Sequence, residues 1–144
     1  MSSIIIKQYN KNQKQFLYKI RNRNFVRKFS VNKKIIKKKD HDNWINKFKQ
    51  NKRNKIILIY NSKTMAGYIR INFHKERSNV SWALEKKFHN KGIMSKELLN
   101  ATKDNKRKFK CLIHKKNSAS IKVAINAKFI LNKSIGSYLL FDKN

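Results

Sequence analysis

The stretch from Val80 to Leu99, VSWALEKKFHNKGIMSKELL, runs from a short apolar segment through a polar turn into a helical pattern. Gly92, one of only three glycines in the chain, stands at that junction. The first backbone N–H groups of a helix have no partner inside it, and the aligned peptide dipoles add partial positive charge there. A glycine beside those groups lets an oxyanion approach the main chain with no Cβ in the way. His89, Asn90, Lys91, Gly92, Ile93, Met94 and Ser95 are placed to form such a cradle, and Lys91 adds a cation. The same residues without a ligand make an ordinary turn before a helix, so local chemistry leaves both readings open.

The pattern along the chain predicts the elements around this junction. Ser3–Tyr9 alternates and is rich in isoleucine, as a first strand would be. Lys14–Ile20 carries Phe16, Leu17 and Ile20 at helical spacing, and Phe25, Val26 and Phe29 suggest a second short helix or turn. Asp40 reads as the N-cap of a helix with Trp44, Ile45 and Phe48 on one face. Lys55–Tyr60 and Met65–Phe73 read as two strands joined by a turn, and Gly67 inside the second marks a bulge or a close backbone approach. Val80–Leu84 is predicted as a third strand of this meander, followed by a helix over Ile93–Asp104. A strand over Phe109–His114, a helix over Ser118–Ala127 and a last strand over Tyr138–Phe141 complete the order. The result is a mixed α/β domain spanning residues 1–144.

Composition narrows the classes of partner. Of the 37 basic residues 30 are lysine, spread over the whole chain against seven acids, for a formal net charge of +30. So diffuse a distribution, poor in the arginine that makes bidentate contacts, reads as general solvation; nucleic acid stays a possible partner but is not favoured. No apolar run approaches the ~18 residues of a membrane span, and MSSIIIKQYN lacks the features of a signal peptide, so a cytoplasmic location is expected. The single Cys111, flanked by apolar residues, reads as an inert buried thiol. Four scattered histidines without paired ligand spacing give no metal site.

Two blocks of residues resemble the GNAT superfamily of N-acetyltransferases. His89-Asn90-Lys91-Gly92-Ile93-Met94 is similar to its acyl-CoA motif, Arg/Gln-x-x-Gly-x-Gly/Ala at a strand–helix junction. The block from Asn117 to Phe129, NSASIKVAINAKF, resembles the family's second motif, Asn-x-x-Ser-Ile ending in Gly-Phe. Arg21, Asn22, Arg27 and the His41-Asp42-Asn43-Trp44 segment look like the substrate side of a branch acting on nucleotide-linked amino sugars or on ribosomal-protein N-termini. The sequence departs from the family pattern at His89 and Met94, at Lys128 in place of glycine, and at Ala124, a region where many members carry a tyrosine acid.

The resemblance implies an α+β fold whose mostly antiparallel sheet contains one splayed parallel pair, Val80–Leu84 beside Phe109–His114. It implies transfer of acetyl from acetyl-CoA to an amine, most closely that of a nucleotide-linked sugar. Protein N-terminal or lysine acetylation, and a non-catalytic polyanion-binding role, are the alternatives. On this reading Trp82, Ala83 and Leu84 border the pantetheine arm, residues 89–95 hold the diphosphate, Asn117 contacts the pantetheine or the diphosphate, and Ser120 meets the thiol end. Arg21, Asn22, Arg27, His41 and Trp44 would contact the acceptor. A base would help the amine lose its proton, and His114, Glu85 and His41 are the candidates.

Overall fold

The computed structural model describes residues 2–5 and 9–144. Seven strands form one sheet in the order β1-β2-β3-β4-β5-β7-β6. They are β1 (Ser2–Ile5), β2 (Asn54–Asn61), β3 (Thr64–Asn72), β4 (Ser78–Leu84), β5 (Phe109–His114), β6 (Ile130–Ile135) and β7 (Tyr138–Lys143). Among the described residues five α-helices connect them: α1 (Lys11–Arg21), α2 (Asn24–Arg27), α3 (Lys38–Gln50), α4 (Ile93–Ala101) and α5 (Ser118–Asn126). Strand β1 covers the start of the expected Ser3–Tyr9 strand, and residues 6–8 of that range lie outside the described residues.

Both faces of the central strands are covered. On one face α4 and α5 bury Leu98 and Ala124 against Ile69, Ile71, Phe109 and Ile113. On the other, Leu17 of α1 and Ile45 and Phe48 of α3 pack on Ile56 and Leu58 of β2. Double covering is why β2 reads as a continuous apolar run and not as a clean alternation.

Three expectations need correction. Helix α3 begins at Lys38 with Lys37 in the cap position, so Asp40 lies inside the first turn, where its carboxylate still favours the positive helix end. The predicted order lacks strand β6. All six of its residues are exposed at the sheet edge, so no alternation betrayed it. Its two-residue turn, Gly136-Ser137 between Ile135 and Tyr138, with Gly136 at φ +56°, is the signal that would have found it. Helix α4 also stops at Ala101, short of the predicted Asp104.

Gly67 fulfils its expectation. A Cβ there would collide with the Ala83 carbonyl oxygen of β4, and the β2–β3 register shifts beside it, between Ile59 and Tyr60. Lys128 adopts φ +73°, the left-handed conformation that the family's glycine would take without strain. The reason is a helix-ending motif. Lys128 N–H donates to Ile125 O and Phe129 N–H to Ala124 O, each at 3.0 Å, satisfying carbonyls that α5 would otherwise leave bare.

Candidate active site

Strands β4 and β5 are the only parallel neighbours in the described sheet, and they pair at just two positions, Ser78 with Phe109 and Asn79 with Lys110. Beyond Asn79 they part. The Ser78 N–H donates to Lys108 O on the β5 side, while the Glu85 N–H donates to Ala66 O on the β3 side. Alternation along a strand therefore turns the main-chain groups of Val80, Trp82 and Leu84 toward the gap. The gap opens into a cleft of about 1000 Å³ that runs from α1 and α2 on one face to the first turns of α4 and α5 on the other.

At one wall stands the first turn of α4. Gly92 occupies its N-cap position at φ +72° and ψ 6°, with no side-chain cap and no acid in the first turn. Nothing lies within 4 Å of where a Cβ would be, so the space facing the loop is open. Met94, the departure from a small residue, turns its side chain into the core and is only 3% exposed, leaving its N–H at the helix end unobstructed. His89, the other departure, folds back: its Nε2 lies 2.7 Å from the Leu84 carbonyl oxygen. A carbonyl only accepts, so His89 carries its proton on Nε2 and ties the loop to the end of β4. Phe25 of α2 meets the same ring edge-on at 5.5 Å. Across the cleft, Asn117 caps α5 by accepting the Ser120 N–H at 3.2 Å, which spends its carbonyl and leaves its amide nitrogen free.

The structure gathers every residue expected on the cofactor side, Trp82–Leu84, His89–Ser95, Asn117 and Ser120, at this one cleft. The other expected residues divide, His114 and Arg21 reaching the cleft and Glu85, His41, Asn22, Arg27 and Trp44 lying outside its lining. His114 lines the cleft between Phe29 and Tyr138, with ring centroids 5.4 and 5.3 Å away. Its Nδ1 accepts the Lys116 N–H at 3.1 Å, so the neutral ring presents a proton on Nε2. Glu85 lies outside the cleft lining, in a two-bond ion pair with Arg23 at 3.2 and 3.3 Å that fastens α2 to the end of β4. His41 also lies outside, 3% exposed in α3, with Tyr18 and Trp44 against its ring and burial pulling its pKa down.

Of the expected acceptor-side residues only Arg21 reaches the cleft. Asn22 instead brackets Ile36 through two main-chain bonds, and Arg27 donates to Lys33 O, so both shape the segment between α2 and α3. Arg21 and Tyr138 fasten the same segment at Ser30. Trp44 meets the cleft only through Arg70, whose guanidinium lies 5.6 Å from its ring centroid. Ala124 is fully buried in the core, so a tyrosine there would not face the cleft. Cys111 is 3% exposed, and burial first, then the nearby Asp142, pushes its thiol up to about 12.

Sequence reasoning missed Arg70, Tyr68 and Ser81 in the lining. Arg70 interrupts an apolar strand at an alternate position, which reads as a solvated face until α1 and α3 are seen to cover it. The charge of the lining is one-sided. Arg21, Arg70, Lys86, Lys91, Lys116 and Lys122 border the cleft, and no carboxylate does so among the described residues. No group of three potential metal ligands comes together among those residues, nor is any helix long and apolar enough to cross a membrane.

The comparisons with known proteins agree with this geometry. The fold matches a domain from Methanocaldococcus jannaschii at TM-score 0.80 and 20% identity, covering 99% of this chain and 98% of that one. The Campylobacter jejuni N-acetyltransferase PseH, solved with acetyl coenzyme A, matches at TM-score 0.72 and 14% identity over 99% and 98% of the chains. A Vibrio cholerae spermidine N-acetyltransferase, solved with CoA and spermine, matches at TM-score 0.79 and 8% identity over 97% and 92%. A search of curated protein sequences returned no match. The family model described as an acetyltransferase (GNAT) domain matches residues 4–130, and the chain belongs to that family, whose members are N-acetyltransferases using acetyl-CoA as co-substrate.

Proposed function

We propose that this cleft moves an acetyl group from acetyl-CoA to the primary amine of a nucleotide-linked amino sugar. One observation carries the acetyl-transfer reading: two parallel strands part after two paired positions, directly before a helix start that has neither cap nor acid. The thioester of acetyl-CoA supplies an acyl group already activated toward amines. The N–H groups of Ile93, Met94 and Ser95 bind the diphosphate oxygens, helped by the α4 dipole and by Lys91. Main-chain groups of Val80, Trp82 and Leu84 hold the pantetheine arm as an added strand would be held. One of those N–H groups faces the thioester oxygen as negative charge develops on it. Asn117, through its free amide nitrogen, and Ser120 flank the arm's other side.

His114 keeps its Nε2 proton and can hydrogen-bond to the departing sulfur, which takes up, through water, the proton that the amine loses on attack. A carboxylate-free, six-cation lining supports an anionic acceptor and disfavours a polyamine, for which acidic groups would be needed. Acetyl-CoA should raise the melting temperature, and free thiol should appear when an amino-sugar nucleotide is added. The absence of both a thermal shift with acetyl-CoA and thiol release with every member of an amine panel would sink the reading.

A further inference from the structure

Tyr68, Arg70 and Asn72 line the cleft from one face of β3, whereas Ile69 and Ile71 between them enter the core on the other. Arg70 sits opposite Ser81 of β4 and against Trp44 of α3, on the sheet face across from α4. Its Nε is shut off from solvent and has no hydrogen-bond partner among the described residues. The ion pairs of those residues use Arg23, Lys38 and Arg107, so none reaches Arg70. Burial pulls the Arg70 pKa below its usual value, with Tyr68 opposing the shift and the nearby Arg21 adding to it. A half-buried arginine with its Nε sealed off and its terminal nitrogens without a partner or counter-ion among the described residues is destabilising until an anion meets those terminal nitrogens.

We infer that Arg70, with Arg21 beside it, is the docking point for a phosphate group carried by the acceptor. Two guanidiniums match the charge of a phosphate dianion or a diphosphate better than that of a single carboxylate. The Trp44 ring, 5.6 Å from the Arg70 guanidinium carbon, helps hold the side chain in place for contact between its terminal nitrogens and phosphate oxygens. The site lies across the sheet from the α4 first turn, so it is separate from the one assigned to the CoA diphosphate. The word "acceptor" rests on the acetyl-transfer reading, whereas the anion site itself does not.

Titration calorimetry on the CoA-saturated protein tests this, with UDP as the probe and uridine as its phosphate-free control. UDP should bind and uridine should not. Arg70→Gln and Arg21→Gln should each weaken UDP about 10- to 100-fold and leave CoA affinity within about twofold. The inference is overturned if UDP fails to bind the wild type, if uridine binds equally well, or if neither substitution changes UDP affinity. Should Arg70→Gln fail to fold, Arg21→Gln and the salt dependence of UDP binding to the wild type carry the test. Failure of the wild type to bind CoA would strike the acetyl-transfer reading instead, and UDP titrated into the free protein would still read the Arg70 site.

Discussion

Helices α1 and α4 meet the same problem in opposite ways. Each begins with N–H groups that have no partner inside the helix. At α1 the protein supplies the partners: Asn10 Oδ1 accepts the Gln13 N–H at 2.8 Å, and Gln13 Oε1 accepts the Asn10 N–H at 3.1 Å. At α4 it supplies none, placing Gly92 in a left-handed conformation with open space before it. The α1 donors are committed to folding, and those of α4 remain available to a ligand. Helix α5 lies between these cases, its Asn117 cap using one donor at the edge of the cleft.

The contrast can be broken at either helix. The largest effect is expected for Gly92→Glu, which forces a side chain into φ +72° and sets a carboxylate against the proposed diphosphate site. CoA affinity should fall on the order of 100-fold, read by calorimetry, since both the dipole contact and the approach are lost. An unchanged affinity would remove the special status of α4. The matching substitution at the other helix, Asn10→Ala, should cost about 1 kcal/mol, or about 3 °C in melting temperature, and leave CoA binding alone.

Lys128→Gly sharpens the point at the far end of α5. Relief of the left-handed lysine should stabilise the protein by about 1 kcal/mol, seen in denaturant unfolding. A loss of stability would mean that the lysine side chain holds the turn in some other way. The smallest effect concerns pH. Burial keeps the His41 pKa below the ordinary histidine value in the folded state. Below about pH 6.5 the unfolded chain therefore binds more protons than the folded one, and stability declines as pH falls through the folded value. His41→Phe should flatten that part of the melting-temperature profile; a wild-type profile already flat there would contradict the assignment.

How much of this was legible in the sequence follows from burial and period. The β3–β4 hairpin, β5 and the α4 start were readable because their apolar spacing is clear and Gly92 punctuates it. Strand β6 was not, because an edge strand with every residue exposed has no face to select. Arg70 hid for the opposite reason, since alternation marks a polar face without saying whether water or α3 covers it. His41 and Glu85 illustrate a third limit. Residue type suggested chemistry, but their positions depend on packing between elements distant in sequence, Tyr18 and Trp44 for one and Arg23 for the other.

The central claim is that bare N–H groups at the α4 start hold the diphosphate of acetyl-CoA. A crystal structure of the complex measures it directly. Diphosphate oxygens are expected about 2.7–3.2 Å from the Ile93, Met94 or Ser95 nitrogens, with the pantetheine arm between β4 and β5. A diphosphate bound elsewhere, with those nitrogens meeting only water, would contradict the account.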